Sequence, residues 1–299
     1  MCPVYCSEGT LGRLVDEIDA TLSPTYKYEV ILVDDGSHDS SWAMIRQICS
    51  SNPNVRGIRL GRNVGQHGAL LAGIRSSRYE ITVTLDDDLQ NPPQEIPALI
   101  NALSENVDVV YGVGIQSEHS WWRRLTSIAV RHLFRILLGY SGAMKISSFR
   151  AFKTTLREGF SGDLGPAISI DSLLTWTTGS FNSVKVKHQP RLKGKSNYNL
   201  FKLIRHMIDS ATGYSIVPLR LASAFGMVVI FLGLGLFLWV TIRPFLTNSS
   251  VPGFPLLAAS LAIFSGAQLL MLGILGEYIG KIHFRVMKKP TYTISDKTS

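Results

Sequence analysis

The sequence has few cysteines, and their spacing indicates neither a metal site nor a disulfide framework. Its 299 residues include three cysteines, Cys2, Cys6 and Cys49, without a CxxC or CxxH pattern. We expect them to be reduced packing residues in a cytosolic domain. The N-terminus lacks a charged stretch followed by an apolar one, so we predict no signal peptide. The seven histidines show no metal-ligand spacing, which argues against a histidine metal centre.

Charged residues make up only 17 % of the chain, and long apolar runs occur only in its C-terminal third. The runs 221–242 and 255–275 are each long enough to cross a bilayer, which takes roughly 20 residues. A short link joins them, so we predict a transmembrane hairpin. The net charge of +8 then indicates anionic lipid or phosphate partners, and we predict no nucleic-acid partner.

Basic residues flank the two apolar runs unevenly. The link between the runs carries only Arg243, whereas basic side chains lie before the first run and after the second: Arg220, Lys281, Arg285, Lys288 and Lys289. Because positive residues stay on the cytoplasmic side of a membrane, we expect both ends of the hairpin, and the rest of the chain, to be cytoplasmic.

The N-terminal half alternates apolar strand patterns with helical patterns. Strands are predicted at 28–33, 55–60, 80–85 and 107–112, and helices at 10–22, 39–49, 65–76 and 97–104. Such alternation predicts an α/β fold with a mostly parallel sheet covered on both faces. Residues 1–8 form only a stub with strand propensity.

The stretch TLDDDLQNPP, residues 84–93, places three carboxylates directly after a buried strand. Ligands bind at the carboxyl ends of strands in such sheets. Asp86 and Asp88 can face one hard cation, Gln90 adds a carbonyl oxygen, and Asp87 points away or caps the turn. Oxygen ligands of this kind suit Mg²⁺ or Mn²⁺ bridging to substrate phosphates. The alternative is a solvated acidic turn.

A second acidic strand end, Asp34-Asp35, lies before the turn at Gly36. Right-handed crossovers bring neighbouring strand ends to one edge of the sheet, so we expect the two acidic clusters to be close. Clustered carboxylates of this kind predict that the site binds a metal ion or a ligand with several hydrogen-bond donors, such as the NH of uracil and the hydroxyls of ribose. Alternatively, Asp35 only shapes the Asp-Gly turn.

Four segments together resemble a known family: CPVYCSEGTL, VDDGSHDSSW, GRNVGQHGAL and LDDDLQNPPQEIP. They are similar to family 2 glycosyltransferases of the GT-A fold. The similarity is greatest to the polyisoprenyl-phosphate glycosyltransferases, which include dolichyl-phosphate mannose synthases and bacterial undecaprenyl-phosphate sugar transferases. Residues 266–292 resemble the second span and tail of the bacterial enzymes. The resemblance implies a Rossmann-like GT-A domain at 1–197, a juxtamembrane helix at 198–216, two transmembrane helices within 217–280 and a basic tail at 281–299.

The resemblance also implies roles for individual residues. The nucleotide would be bound by Pro3, Tyr5, Asp34, Asp35 and Asp87. The divalent cation would be held against the diphosphate by Asp86, Asp88 and Gln90. The acceptor phosphate would be bound by Arg123, Arg150, Arg191, Lys195 and Ser196. The catalytic residues would be Asp88, Arg150 and Asp171, the last orienting sugar or acceptor.

Each of these roles has a structural alternative. Tyr5 fits a core aromatic position, Arg150 a salt bridge at a strand edge, and Asp171 a helix cap. The segment RLKGKSNYN, which carries Arg191 and Lys195, fits a flexible basic loop.

The chain departs from the family pattern at three places. Cys6 replaces an asparagine, Ser7 an acidic residue, and Gly114 an arginine whose charge Arg123 or Arg124 would supply.

Two segments have the pattern of basic amphipathic helices that lie on a membrane surface, 121–138 and 198–211. Trp121 and Trp122 are typical of headgroup-level anchors. An ordinary surface helix is the alternative for 121–138.

The function implied by the resemblance is sugar transfer, with inversion, from a UDP-linked donor to polyprenyl phosphate at the cytoplasmic face of the inner membrane. It also allows a membrane homo-oligomer. One alternative is a processive polysaccharide synthase, but those typically carry a QxxRW motif and more spans. The other is an inactive nucleotide-binding scaffold, which the short first strand, Cys6 and Gly114 favour.

Overall fold

The computed structural model describes residues 1–114, 146–162, 169–189, 217–247, 253–287 and 290–298. These residues fall into two compact units. One contains the strands and shorter helices together with the C-terminal segment 290–298, and the other contains two long helices. The interfacial helices predicted at 121–138 and 198–211 lie outside the described residues.

The first unit contains all eight strands of the described chain. They are β1 Cys2–Val4, β2 Val30–Asp34, β3 Val55–Leu60, β4 Ile81–Thr84, β5 Val109–Gly114, β6 Arg150–Lys153, β7 Phe181–Val186 and β8 Ile294–Thr298. Its α-helices are α1 Leu11–Leu22, α2 Ser41–Ser51, α3 Gln66–Ser76, α4 Ile96–Asn101 and α5 Ile170–Thr177. Short 3-10 helices cover Pro93–Glu95 and Thr154–Phe160.

The strands form two four-stranded sheets, ordered β1-β2-β3-β8 and β4-β6-β5-β7. Met1 joins them, because its amino group donates to the carbonyl of Val83 at 2.8 Å and its carbonyl accepts from the amide of Leu85 at 3.2 Å. As a result β1 lies between β2 and β4, and the carboxyl ends of these three strands are neighbours.

The predicted α/β architecture is confirmed, but the sheets are mixed. Three of the six strand pairs in the described chain are antiparallel, and each includes β6 or β8. Neither strand was predicted, and β1 was predicted only as a stub.

The apolar strands are buried because helices cover both faces of the sheet. In β2, Val30 and Leu32 pack in one core cluster, whereas Ile31 and Val33 pack in the other. Successive strand side chains point to opposite faces. A continuous apolar run is therefore what a strand covered on both faces requires. Helix α1 buries every position of its predicted apolar face: Leu11, Leu14, Val15, Ile18 and Leu22.

The second unit contains α6, Val217–Thr247, and α7, Gly253–Val286. Each has a 21-residue stretch long and apolar enough to cross a membrane, Leu219–Trp239 and Ile263–His283. Their apolar side chains are largely exposed, as at Leu232 (68 %) and Leu269 (69 %). Exposed apolar surface of this extent is typical of a membrane- or partner-facing surface.

The two long helices pack through small residues. A Cβ at Gly226 would lie 2.4 Å from the Cε of Met271, and one at Gly233 would lie 2.6 Å from the Cζ of Phe264. Glycine lets the two helices approach closely, as is common between membrane helices.

Candidate active site

A pocket of about 380 Å³ opens at the carboxyl ends of β1, β2 and β4. Its lining residues are Pro3, Val4, Tyr5, Asp35, Asn63, Gly65, Gln66, Asp86, Asp87 and Asp88. The structure thus brings together the two acidic strand ends, which the sequence analysis placed at one edge of the sheet. The start of the chain, predicted only as a stub, joins them there. A larger cavity of about 510 Å³ lies at the opposite, amino-terminal ends of β2 and β4 and is walled mainly by apolar side chains.

The two carboxylates at the end of β2 have different environments. Asp34 is fully buried, outside the pocket lining; its Oδ1 accepts from the amide of Ser37 at 3.1 Å, and its Oδ2 lies 3.2 Å from Nε of Arg59. Asp35 lines the pocket and accepts from the amides of Val64 and Gly65, both at 2.8 Å. Burial raises the pKa of Asp35, although these two amides act to lower it. Asp35 therefore reaches the ligand space directly, whereas Asp34 supports the turn behind it.

The loop after β3 lies directly against the turn after β2. Gly36 has a φ of +69°, and a Cβ there would lie 2.8 Å from the amide nitrogen of Asn63. Only glycine adopts this conformation readily and leaves room for the neighbouring backbone. The DDG sequence thus lets residues 61–65 form one wall of the pocket.

The three carboxylates after β4 point in different directions. Asp86 accepts from Nε2 of Gln66 at 2.7 Å and from Oγ of Ser148 at 2.6 Å. Asp87 accepts a long hydrogen bond from the amide of Tyr5 at 3.4 Å. Asp88 accepts from the amide of Gln90 at 3.1 Å. Three of these bonds come from distant segments of the chain, and the fourth, from Gln90, comes from the same loop.

The residues between and after the carboxylates also hold the loop in shape. Leu89 is buried and adopts a φ of +58°, a conformation rare for leucine. The carbonyl of Gln90 accepts from the amide of Gln189 at 2.8 Å, but Gln90 is not among the pocket-lining residues. The cation site predicted at Asp86, Asp88 and Gln90 thus has two of its three side chains in the pocket.

The pocket is suited to a cation that is shared with a ligand. No group of three or more His, Cys, Asp or Glu side chains in the described ranges could hold a metal ion by itself. Mg²⁺ commonly binds through one or two carboxylates together with substrate phosphates. The carboxylates of Asp86 and Asp88 meet that requirement, because both line a pocket large enough for a phosphate-bearing ligand.

A buried ion pair lies behind the carboxylates. Arg150 is 1 % exposed, and its guanidinium donates to the carboxylate of Asp171 and, through Nε, to Oγ1 of Thr84 at 3.1 Å. The hydroxyl of Tyr111 also donates to Asp171, at 2.9 Å. Burial is the largest single effect and acts to lower the pKa of Arg150, but the charges and hydrogen bonds of Asp171 and Tyr111 together outweigh it and raise that pKa. The predicted phosphate ligand Arg150 therefore has a protein carboxylate as its partner in this structure.

A chain of hydrogen bonds connects this ion pair to the acidic loop. The hydroxyl of Thr84 donates to the carbonyl of Ser148 at 2.7 Å, and the hydroxyl of Ser148 donates to Asp86. The sequence analysis did not assign Ser148 or Gln66, the two side chains that bond Asp86. The sequence signal for Gln66 was its position in GRNVGQHGAL, which resembles the family. Ser148 lies two residues before Arg150, to which the resemblance assigns a role.

Four other residues were predicted to bind the acceptor phosphate. Arg123, Arg191, Lys195 and Ser196 lie outside the described residues.

Cys6 adopts a backbone conformation that asparagine tolerates better. Its φ is +53°, and its Sγ lies 3.4 Å from Nδ1 of His38. Among residues other than glycine, asparagine most readily visits this left-handed region. The conformation thus gives a physical reason for the asparagine of the family pattern.

We expect Cys6→Asn to stabilise the protein by about 0.5–1 kcal/mol by relieving this backbone strain. The midpoint of thermal unfolding in detergent should rise by about 2–4 °C. Cys49→Asn, at a half-buried cysteine on α2, is the matched control and should not stabilise. An unchanged or lower midpoint for Cys6→Asn would contradict the explanation.

Asp87 is expected to make stability depend on pH when divalent cations are removed. Burial raises its pKa from 3.8 to about 6, and the nearby charges of Asp86 and Asp88 add to the rise. The folded chain then holds this proton more tightly than the unfolded chain. The resulting stabilisation is fully present below pH 3.8 and is lost as the pH rises through about 6.

Thermal midpoints measured in EDTA should therefore fall between pH 4.5 and 7 by more in the parent than in Asp87→Asn. Asp16→Asn, on the exposed face of α1, should retain the parent profile. Identical profiles for the parent and Asp87→Asn would refute the assignment.

The comparisons with known proteins agree with this geometry. Residues 1–158 match the family described as Glycosyl transferase family 2. This chain belongs to glycosyl transferase family 2. It is therefore a glycosyltransferase, as the sequence segments led us to expect.

Two curated members of the family are similar over nearly the whole chain. The undecaprenyl-phosphate 4-deoxy-4-formamido-L-arabinose transferase of Edwardsiella ictaluri is 35 % identical and covers 98 % of this chain and 92 % of that protein. The transferase of the same name from Pseudomonas aeruginosa is 34 % identical, with coverage of 98 % and 87 %. The similarity thus extends beyond the sheet domain into the long helices.

Two solved structures of one other enzyme share the fold. Glucosyl-3-phosphoglycerate synthase from Mycobacterium tuberculosis, in complex with Mn²⁺, UDP-glucose and phosphoglyceric acid, aligns with a TM-score of 0.52 at 19 % identity, covering 71 % of this chain and 76 % of that one. The same enzyme with Mn²⁺, UDP and phosphoglyceric acid gives a TM-score of 0.53 at 19 % identity, covering 71 % and 75 %. These likenesses confirm the GT-A fold of the glycosyltransferase.

Proposed function

We propose that this glycosyltransferase moves a sugar from a UDP-linked donor to undecaprenyl phosphate at the cytoplasmic face of the inner membrane. The observation that carries the proposal is the combination, in one chain, of the acidic pocket and two long helices with exposed apolar surfaces. The names of the two curated relatives support undecaprenyl phosphate as the acceptor.

The pocket suits the nucleotide end of the donor. Asp35 and the backbone around Pro3 and Tyr5 offer acceptors for the donor groups of a base and ribose. Asp86 and Asp88, which both line the pocket, would hold a Mg²⁺ or Mn²⁺ ion that offsets the negative charge of the diphosphate leaving group. The solved structures of similar fold that contain Mn²⁺ with UDP-glucose or UDP support this choice of ligand class.

The reaction requires no strong general base in the protein. A phosphate monoester has a second pKa of about 6 and is mostly ionised near neutral pH. One of its oxygens attacks the anomeric carbon, the bond from that carbon to the diphosphate breaks, and the nucleoside diphosphate leaves. Attack from the opposite face inverts the anomeric configuration. We propose that the acceptor phosphate is bound by Arg123, Arg150, Arg191, Lys195 and Ser196. Asp171 is proposed to orient the sugar or the acceptor.

The order of elements along the chain supports the proposed topology. Both long helices lie between β7 and β8, and β8 belongs to the same unit as the pocket. Two crossings return the chain to the side from which it started. The bias of basic residues towards the outer ends of the helix pair supports a cytoplasmic location for that side.

The test is sugar transfer by the purified full-length protein in detergent. It is given undecaprenyl phosphate, Mg²⁺ or Mn²⁺, and a panel of radiolabelled nucleotide sugars that includes UDP-4-deoxy-4-formamido-L-arabinose. The expected product is one labelled lipid carrying a single sugar, with inverted anomeric configuration by NMR. Long polymer would indicate a processive synthase, and nucleotide binding without any labelled lipid would indicate an inactive scaffold; either would overturn the proposal.

A further inference from the structure

The strand that follows the second long helix lies on the sheet that carries the pocket. Strand β8 pairs antiparallel with β3, from Gly57 opposite Thr298 to Leu60 opposite Ile294. It covers the edge of β3 that would otherwise be open, because β3 pairs on its other side with β2. The chain end is thus an integral strand of the sheet.

Side chains and backbone groups hold this strand at both of its ends. At one end, Oγ1 of Thr298 accepts from the amide of Gly57 at 2.8 Å and donates to Sγ of Cys49 at 3.0 Å. At the other end, the carbonyl of Thr293 accepts from the amide of Gly61 at 2.8 Å. The guanidinium of Arg75 on α3 lies 5.8 Å from the ring centre of Tyr292.

The part of β3 that this strand holds leads straight into the pocket wall. Arg59, whose carbonyl accepts from Oγ of Ser295 at 3.2 Å, reaches across to the buried carboxylate of Asp34. Within the described residues, Oδ2 of Asp34 accepts no hydrogen bond of good geometry. The ion pair with Arg59 is therefore the main interaction that offsets the cost of burying this charge. A shift of Arg59 would therefore disturb the turn at Asp34 and Asp35.

The loop that begins at Gly61 forms one wall of the pocket. Asn63 and Gly65 line the pocket, and the amides of Val64 and Gly65 donate to Asp35. The contacts of Thr293 and Ser295 with Gly61 and Arg59 thus fix the residue from which this loop starts.

We propose that residues 292–298 are a positioning element of the donor site, which sets nucleotide affinity by holding Arg59 and the loop 61–65 against Asp34 and Asp35. This inference rests on the proposed nucleotide-binding function. It makes the segment that follows the membrane helices a determinant of donor binding, although no residue in it lines the pocket.

The test introduces a steric clash between Gly61 and Thr293 and then removes it with a second substitution. A Cβ at Gly61 would lie 2.8 Å from Oγ1 of Thr293 and at least 3.7 Å from the other atoms around it. Gly61→Ala should therefore push β8 and the start of the loop apart, and adding Thr293→Ala should remove the obstruction. The dissociation constant for UDP with Mn²⁺, measured by calorimetry on the full-length protein, should rise about five- to tenfold in Gly61→Ala, the effect of one or two lost hydrogen bonds. It should return to within about twofold of the parent in the double variant.

A second variant and two further readouts separate positioning from general stability. Truncation after Thr293 should weaken UDP binding at least as much as Gly61→Ala, raise the KM for the donor and leave the KM for undecaprenyl phosphate nearly unchanged. Hydrogen exchange of the Val64 and Gly65 amides should accelerate in both variants, whether or not nucleotide is present. Lys297→Ala, at an exposed side chain of β8, is the matched control and should bind UDP like the parent.

Unchanged UDP affinity and unchanged exchange in Gly61→Ala would overturn the positioning role while leaving the proposed function intact. Failure of Thr293→Ala to restore affinity would also overturn it. Failure of the parent itself to bind any nucleotide would instead refute the proposed function, and with it this inference.

Discussion

Asp88→Ala is expected to abolish detectable sugar transfer, with a loss of at least about 10³-fold. A thousandfold corresponds to about 4 kcal/mol of transition-state stabilisation, which is within the range that a bound cation provides for a charged leaving group. Asp88 lines the pocket beside Asp86, and the substitution removes one of the two carboxylates proposed to hold that cation. The measurement is the initial rate of lipid labelling at saturating Mg²⁺ or Mn²⁺.

Two further variants separate the charge of Asp88 from its role in the loop. Asp88→Asn retains an oxygen that can accept from the amide of Gln90, so the loop should keep its shape. It should nevertheless lose most of the activity, together with the dependence of UDP affinity on the divalent cation. Asp16→Ala, on the exposed face of α1, should retain parent activity. An active Asp88→Asn would show that the carboxylate serves only the loop.

Arg150→Met is expected to destabilise the sheet unit by about 3–5 kcal/mol, because it leaves the buried carboxylate of Asp171 without its ion partner. The side chains of Arg150 and Asp171 are 1 % and 13 % exposed, so water compensates little for the loss. Asp171→Asn should cost a similar amount, since it strands the guanidinium instead. Thermal or denaturant unfolding in detergent measures both.

The double variant Arg150→Met, Asp171→Asn carries no unpaired buried charge and should recover a large part of the lost stability. Its activity decides between two roles for Arg150. If Arg150 binds the acceptor phosphate, as the family resemblance implies, the folded double variant should have a strongly raised KM for undecaprenyl phosphate and an unchanged UDP affinity. Recovery of both constants to parent values would show that Arg150 acts only through its ion pair.

The sequence predicted the parts of the fold that depend on local patterns. Strand β3 has the predicted bounds, and α1 and α3 each begin within one residue of prediction. Their signals lie in the residues themselves, because apolar periodicity and turn residues act within about ten positions. Strands β6 and β8 were missed because each is short, and β8 exposes most of its side chains to solvent. Both β6 and β8 form by pairing with strands that are distant in the sequence, and the local sequence contains little information about such pairing.

The sequence likewise predicted some features of the candidate site and missed others. It placed Asp35 and the three carboxylates of residues 86–88 at one sheet edge, because strand ends follow from the α/β pattern. It could not separate Asp34 from Asp35, whose environments depend on which of them faces Arg59. The family resemblance implied that Arg150 binds a phosphate, which stays a prediction, but nothing in the sequence indicated its ion pair with Asp171.

The residues alone determined the class of this protein: a family 2 glycosyltransferase with acidic clusters at its strand ends, in a chain with two bilayer-length apolar runs. These features follow from the composition of the chain and from the local order of its residues. An unfolded segment already has both. Only the tertiary structure decided which carboxylates reach the ligand space, that Ser148 and Gln66 orient Asp86, and that the chain end closes the sheet beside the pocket. Those arrangements join residues up to 249 positions apart, so they exist only once the strands have paired.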